Sequence, residues 1–124
     1  MKLWFIAALV FVGLQSASGA VQPAQRAGGA LYVATFIDLM PQNTAAGTAA
    51  VARYASDSRR DPGVVRVEAI AQEARENHLV ICEVWQDQQQ FNVHESTAHT
   101  RDFRAKLLPL IGAPFDQRLH HLVP

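Results

Sequence analysis

Residues 78–85 read His-Leu-Val-Ile-Cys-Glu-Val-Trp. β-Branched and aromatic side chains dominate, and apolar residues stand at both odd and even positions, which predicts a strand covered on both faces. Val80, Cys82 and Val84 form one side. Glu83 and Trp85, two apart, share the other. A carboxylate on such a strand is costly unless it finds a partner, so Glu83 marks a place where the fold provides one.

Working upstream, Glu73 to Asn77 is a polar hairpin connection. Before it, Val64 to Ala74 alternates Val65, Val67, Ala69 and Ala71 against Arg66, Glu68 and Gln72, a second strand. Asp61-Pro62-Gly63 is a turn. Thr44 to Arg60 is Ala-rich, with Ala46, Ala50, Val51, Tyr54 and Ala55 at helical spacing, Asn43 or Thr44 available as a cap and Arg59-Arg60 suited to its C-terminal dipole. Leu31 to Leu39 is another strand, with Leu31, Val33, Ile37 and Leu39 on one side and Tyr32, Ala34 and Phe36 on the other. Downstream, Asp87 caps a helical segment over 88–94, with Gln90 in the capping-box position. A second segment starts near Ser96 or Thr97 and places Phe103, Leu107 and Leu110 on one face, with a break at Pro109. Phe115 to Val123 is the last strand.

The order β-α-β-β-α-β predicts an α+β, ferredoxin-like fold: an antiparallel sheet with its helices on one face. The other face, with Tyr32, Ala34, Phe36, Val80, Cys82 and Val84, is also largely apolar. A second subunit packed sheet to sheet through a two-fold axis is the economical cover, giving a homodimer.

The whole chain has 124 residues and 13.6 kDa, one domain's worth. Eleven basic residues balance eleven acidic ones, which argues against a nucleic-acid partner. The single cysteine, Cys82, excludes an internal disulfide framework and reads as a small buried apolar side chain. Met1-Lys2, the apolar run Leu3 to Leu14 and the small residues Ser18-Gly19-Ala20 have the parts of a secretory signal, cut after Ala20 or alternatively Gly19. The run is too short for a comfortable membrane span, so export to the periplasm or medium with no stable membrane anchor is expected. The predicted organisation is a signal peptide over 1–20, a flexible leader over 21–30 and the folded domain over 31–124.

Chemistry-bearing side chains concentrate in Glu83, Trp85, Phe91, His94, His99 and Phe103. Phe91 and His94 share a helical face, as do His99 and Phe103. Consecutive strand and helix bring these groups toward one pocket. His120 and His121, adjacent on a strand, point to opposite faces and form no convergent metal pair. No metal ligand set is read from the sequence.

The run Glu83-Val84-Trp85-x-Asp87-x3-Phe91-x2-His94-x4-His99-x3-Phe103 resembles the antibiotic biosynthesis monooxygenase (ABM) domain, quinol-monooxygenase-like members included. The resemblance spans residues 31–123. It implies a dimeric α+β barrel and oxygenation of a quinol or related small aromatic by O2 with neither metal nor organic cofactor. In that chemistry His99, then His94, is the candidate base, with Glu83 orienting a histidine or a substrate hydroxyl. Trp85 stacks on the ring, and Tyr32, Phe36, Phe91 and Phe103 are candidate substrate contacts. The alternative is a dimeric ABM-like module that binds a small hydrophobic ligand without turnover. Haem-degrading relatives use an asparagine on the first strand, and none stands between Leu31 and Leu39.

Overall fold

A computed structural model describes residues 29–124. The expected signal peptide and nearly all of the leader lie outside the described residues. Four strands form one antiparallel sheet: β1 (Leu31–Asp38), β2 (Val64–Gln72), β3 (Arg75–Trp85) and β4 (Asp116–His120), in the order β2-β3-β1-β4. Three helices, α1 (Thr44–Ser58), α2 (Gln88–Glu95) and α3 (Ala98–Leu107), complete the α+β, ferredoxin-like arrangement.

Period-two patterning places Leu31, Val33, Thr35 and Ile37 of β1 on the covered face, opposite Trp85, Glu83, Ile81 and Leu79 of β3. On the α1/α3 side, Ile37, Leu39, Val51, Tyr54, Phe103 and Leu107 pack into the main core. At the other end Leu31, Val33, Trp85 and Phe91 form a smaller cluster.

Several local expectations are corrected. Neither Asn43 nor Thr44 caps α1 by its side chain. A 3-10 turn at Pro41–Asn43 leads in, and the Thr44 hydroxyl donates to the Pro41 carbonyl at 2.8 Å. A register shift between Val64 and Arg66 pairs Val64 with Trp85 and leaves Val65 61% exposed, so Val65 does not share the inner face with Val67. Arg75, Glu76 and Asn77 belong to β3, and the hairpin connection shrinks to Glu73-Ala74. Its arms project past the helices, where polar strand residues remain hydrated. The last strand is only Asp116–His120, because its partner β1 begins at Leu31 and His120 already pairs with Tyr32.

The segment after β3 is two helices. Asp87 caps α2, its carboxylate accepting from Gln90 N at 2.8 Å. Thr97 caps α3, accepting from Thr100 N. Pro109 ends α3 in a short 3-10 turn, as its missing N–H requires. Gly63 has φ +78°, and a Cβ there would meet the Gln90 side chain at 2.4 Å. Only glycine lets the chain turn here so tightly under α2.

Candidate functional site

α1 ends in a tight turn that carries Asp61 under the junction of α2 and α3. Tyr54, one turn before the end of α1, points at β3. His94 reaches the same spot from the last turn of α2, and His99 from the first turn of α3. The link between these helices is short because the Thr97 hydroxyl donates to the His94 carbonyl at 2.8 Å. Glu83 and Trp85 rise from β3 beneath them.

Hydrogen bonds join five of these groups in a chain. His99 Nε2 lies 2.8 Å from Asp61 Oδ2, and His94 Nδ1 lies 2.6 Å from that same oxygen. His94 Nε2 is 2.7 Å from the Tyr54 hydroxyl, which is 3.0 Å from Glu83 Oε1. Tyr54 owns one hydroxyl proton and cannot donate both ways. If it donates to neutral His94, Glu83 must be protonated to donate in turn. If it donates to ionised Glu83, His94 carries the proton on Nε2 and donates to Tyr54. One proton is thus shared between Glu83 and His94 through the phenol.

Burial sets the electrostatics. Desolvation pushes the Glu83 carboxyl up to about 7, against the opposing hydrogen bond from Tyr54. Desolvation likewise holds His94 below the usual imidazole range, although the hydrogen bond to Asp61 favours its cation. The Tyr54 phenol is driven far above its ordinary value by burial and by the Glu83 charge. Both shifts favour the arrangement in which Glu83 holds the shared proton and His94 is neutral.

The site is closed at one end and open at the other. Glu83, Trp85 and His94 are 1%, 0% and 1% exposed. The indole is shut in by Leu31, Val33 and Phe91, with the His94 ring 4.4 Å away. The enclosed end still holds unpaired polar atoms: Glu83 Oε2, Trp85 Nε1 and His99 Nδ1 are buried without a hydrogen-bond partner. Each such atom costs about 1–3 kcal/mol unless a water or another polar group pairs with it. At the other end, an open cleft of about 580 Å3 runs between α1 and α3. Tyr54, His99 and Phe103 line its wall, with Arg53, Asp102 and Lys106 around it. Tyr54 stacks on Phe103 at 4.2 Å.

Of the residues picked from the sequence, Glu83, Trp85, Phe91, His94, His99 and Phe103 converge. Tyr32 and Phe36 do not: they lie on the opposite face of the sheet, where the Arg118 guanidinium sits 5.0 Å above the Phe36 ring. Two members of the cluster escaped sequence reasoning. Tyr54 looked like one more apolar position on α1, and Asp61 like a turn residue. A phenol on the buried stripe of an Ala-rich helix was the available signal for the first. Nothing local marked the second, which is 33 residues from its nearest partner.

Residues 30–106 match the sequence model of a family described as antibiotic biosynthesis monooxygenase. No protein of curated function matches the sequence. Among solved structures, a conserved Bacteroides thetaiotaomicron protein described as a possible oxidoreductase superposes with a TM-score of 0.71 at 18% identity, covering 76% of this chain and 98% of that one. A protein described as an antibiotic biosynthesis monooxygenase gives 0.72 at 17% identity, covering 76% and 99%. A Mycobacterium tuberculosis protein, Rv0793, gives 0.72 at 16% identity, covering 77% and 96%. At these identities the likeness carries the fold and no more.

Proposed function

The chain belongs to the antibiotic biosynthesis monooxygenase family, and from that premise we propose that it oxidises a quinol or related small aromatic with O2, using no resident cofactor. The observation that supports this reading is His99 on the wall of the α1/α3 cleft, held at Nε2 by Asp61, beside a buried phenol that links His94 to the Glu83 carboxyl. A phenol becomes far more reactive toward O2 once it loses its proton. The protein supplies an apolar slot, a proton acceptor and polar groups for the resulting anion. Asp61 orients the His99 ring and stabilises the imidazolium that forms. Phe103 and Tyr54 form an aromatic wall for a flat guest. Glu83, behind that wall, holds the phenol and through it His94. The balance is complete: one oxygen atom enters the ring, the other leaves as water, and the substrate supplies all four electrons as it becomes a quinone.

Oxygen uptake with a panel of hydroquinones and naphthols tests this. His99→Ala is expected to lower the rate by about 10²-fold or more, with the thermal transition nearly unchanged. Equal rates in both proteins would remove His99 from the mechanism.

The enclosure of Trp85 favours a second reading, a module that binds a small hydrophobic ligand without turnover. Quenching of Trp85 fluorescence by a naphthol, with no oxygen uptake, would establish it. The same proposal includes export, with cleavage after Ala20, and a homodimer formed through the open sheet face. N-terminal sequencing of the extracytoplasmic protein tests the first, and scattering in solution the second.

A further inference from the structure

Three donor atoms from three separate elements meet beneath the cleft. Asp61 Oδ2, His94 Nδ1 and His99 Nε2 lie within 4.8 Å of one another. We propose that these residues bind one divalent first-row transition-metal ion, a site independent of the oxygenase reading. Two imidazoles and one carboxylate form a donor set that suits such ions and leaves coordination positions open. Donors about 2.0–2.1 Å from a metal stand about 3 Å apart. A tetrahedral ion would need the two contacts to Asp61 Oδ2, at 2.6 and 2.8 Å, to open by about half an ångström, and the two imidazole nitrogens, within 4.8 Å of each other, to draw together.

Hydrogen-bond direction also favours the ion. With a metal on Nδ1, His94 keeps its proton on Nε2 and donates it to the Tyr54 oxygen. Tyr54 then donates to ionised Glu83, and every donor along that arm has an acceptor. This is the outer support expected of a ligating histidine. Charge closes too, because the ion pairs of Asp61 and Glu83 among the described residues are all with histidine, and a divalent ion balances the two carboxylates. The nearby acids are otherwise engaged: Glu95 pairs with Arg104, and Asp57 with Arg53 and Arg60. Of the nitrogens on the two ligating imidazoles, only His99 Nδ1 gains no protein partner. His99 lines the cleft, and the Asp61 side chain behind it is also partly exposed, which gives the ion a way in.

An ion held on Nε2 of His99 leaves the ring proton on Nδ1, and so blocks the nitrogen that would act as the base. Metal binding and oxidation would therefore oppose each other.

The test is Co2+ titration of the tag-free, chelator-stripped full chain, followed by visible absorption and calorimetry. One equivalent of Co2+ should develop ligand-field bands, and Zn2+ should abolish them. Asp61→Asn and His99→Gln should each weaken Co2+ binding by at least about tenfold, and Tyr54→Phe by about tenfold through its hold on His94. Asp102→Asn, on the same cleft wall, should bind as the wild type does. Absence of bands and heat with folded wild-type protein overturns the proposal, as do unchanged affinities in Asp61→Asn and His99→Gln. A protein that binds Co2+ but never consumes oxygen keeps the metal site and loses only the oxygenase reading. One that oxidises quinols but takes up no Co2+ does the reverse.

Discussion

Glu83 and Trp85 lie under the helices, 1% and 0% exposed, while Phe36 on the opposite face of the same sheet is 40% exposed. Both faces are built by the same alternation, one residue out of step. On the covered face a polar atom must be paired inside the protein or pay for its burial, so Glu83, Tyr54, His94, Asp61 and His99 are tied into one chain. On the open face water serves as the partner. Asp116 and Arg118 sit beside Phe36 in an exposed ion pair worth little to stability. The flanking strands thus place charges beside an apolar centre made by β1 and β3. That face is less uniformly greasy than the central strands alone suggested. Identical patterning therefore carries very different energetic consequences, depending on whether helices stand above it.

The largest expected break in this contrast is Trp85→Ala. Loss of a fully enclosed indole should cost about 3–5 kcal/mol in denaturant melts, against less than about 1 kcal/mol for Phe36→Ala. Equal costs would mean that the open face is buried in solution.

Glu83→Gln sharpens the contrast through pH. The folded-state value of about 7 stands above the usual carboxyl range. Its stabilising contribution is therefore complete below about pH 4.5 and is lost as pH rises through 7, a change of about 3 kcal/mol. His94, held low, acts in the opposite sense: its contribution is complete above the ordinary imidazole value and is lost as pH falls from there through its lowered folded value. The difference between wild-type and Glu83→Gln stabilities, measured from pH 4.5 to 8, isolates Glu83 and the His94 titration coupled to it, and should slope against the wild type. A flat difference would mean that Glu83 is ionised throughout.

Gly63→Ala tests the turn that delivers Asp61. The positive φ and the Gln90 side chain both oppose a Cβ, and a loss of about 1–2 kcal/mol is expected in thermal melts. The smallest stability effect belongs to Phe36→Lys, within about 0.5 kcal/mol for a protomer with this face in water. If the open face joins two subunits, the same change should convert a dimer to a monomer in sedimentation experiments.

Much of the fold was legible because burial leaves period-two and period-3.6 traces. The alternation in 31–39 and 78–85, the Asp87 cap and the Pro109 stop are all local signals, and each lies where the chain alone suggested. What misled were places where neighbours decide. The Val65 bulge depends on how β2 seats against Trp85, and Arg75 to Asn77 are strand only because a hairpin extends past the helices. The site was half legible. Glu83, Trp85 and the two histidines stand out because such residues are unusual in apolar surroundings.

Element order, the covered face of the sheet and the presence of a carboxylate inside it followed from residue sequence alone, because hydrophobic periodicity is a local property. Only the tertiary structure brought Asp61 and Tyr54 to the histidines, sealed the indole and opened the cleft beside α3 instead. Those outcomes depend on distances between residues far apart along the chain, which side-chain packing determines and local patterning does not encode.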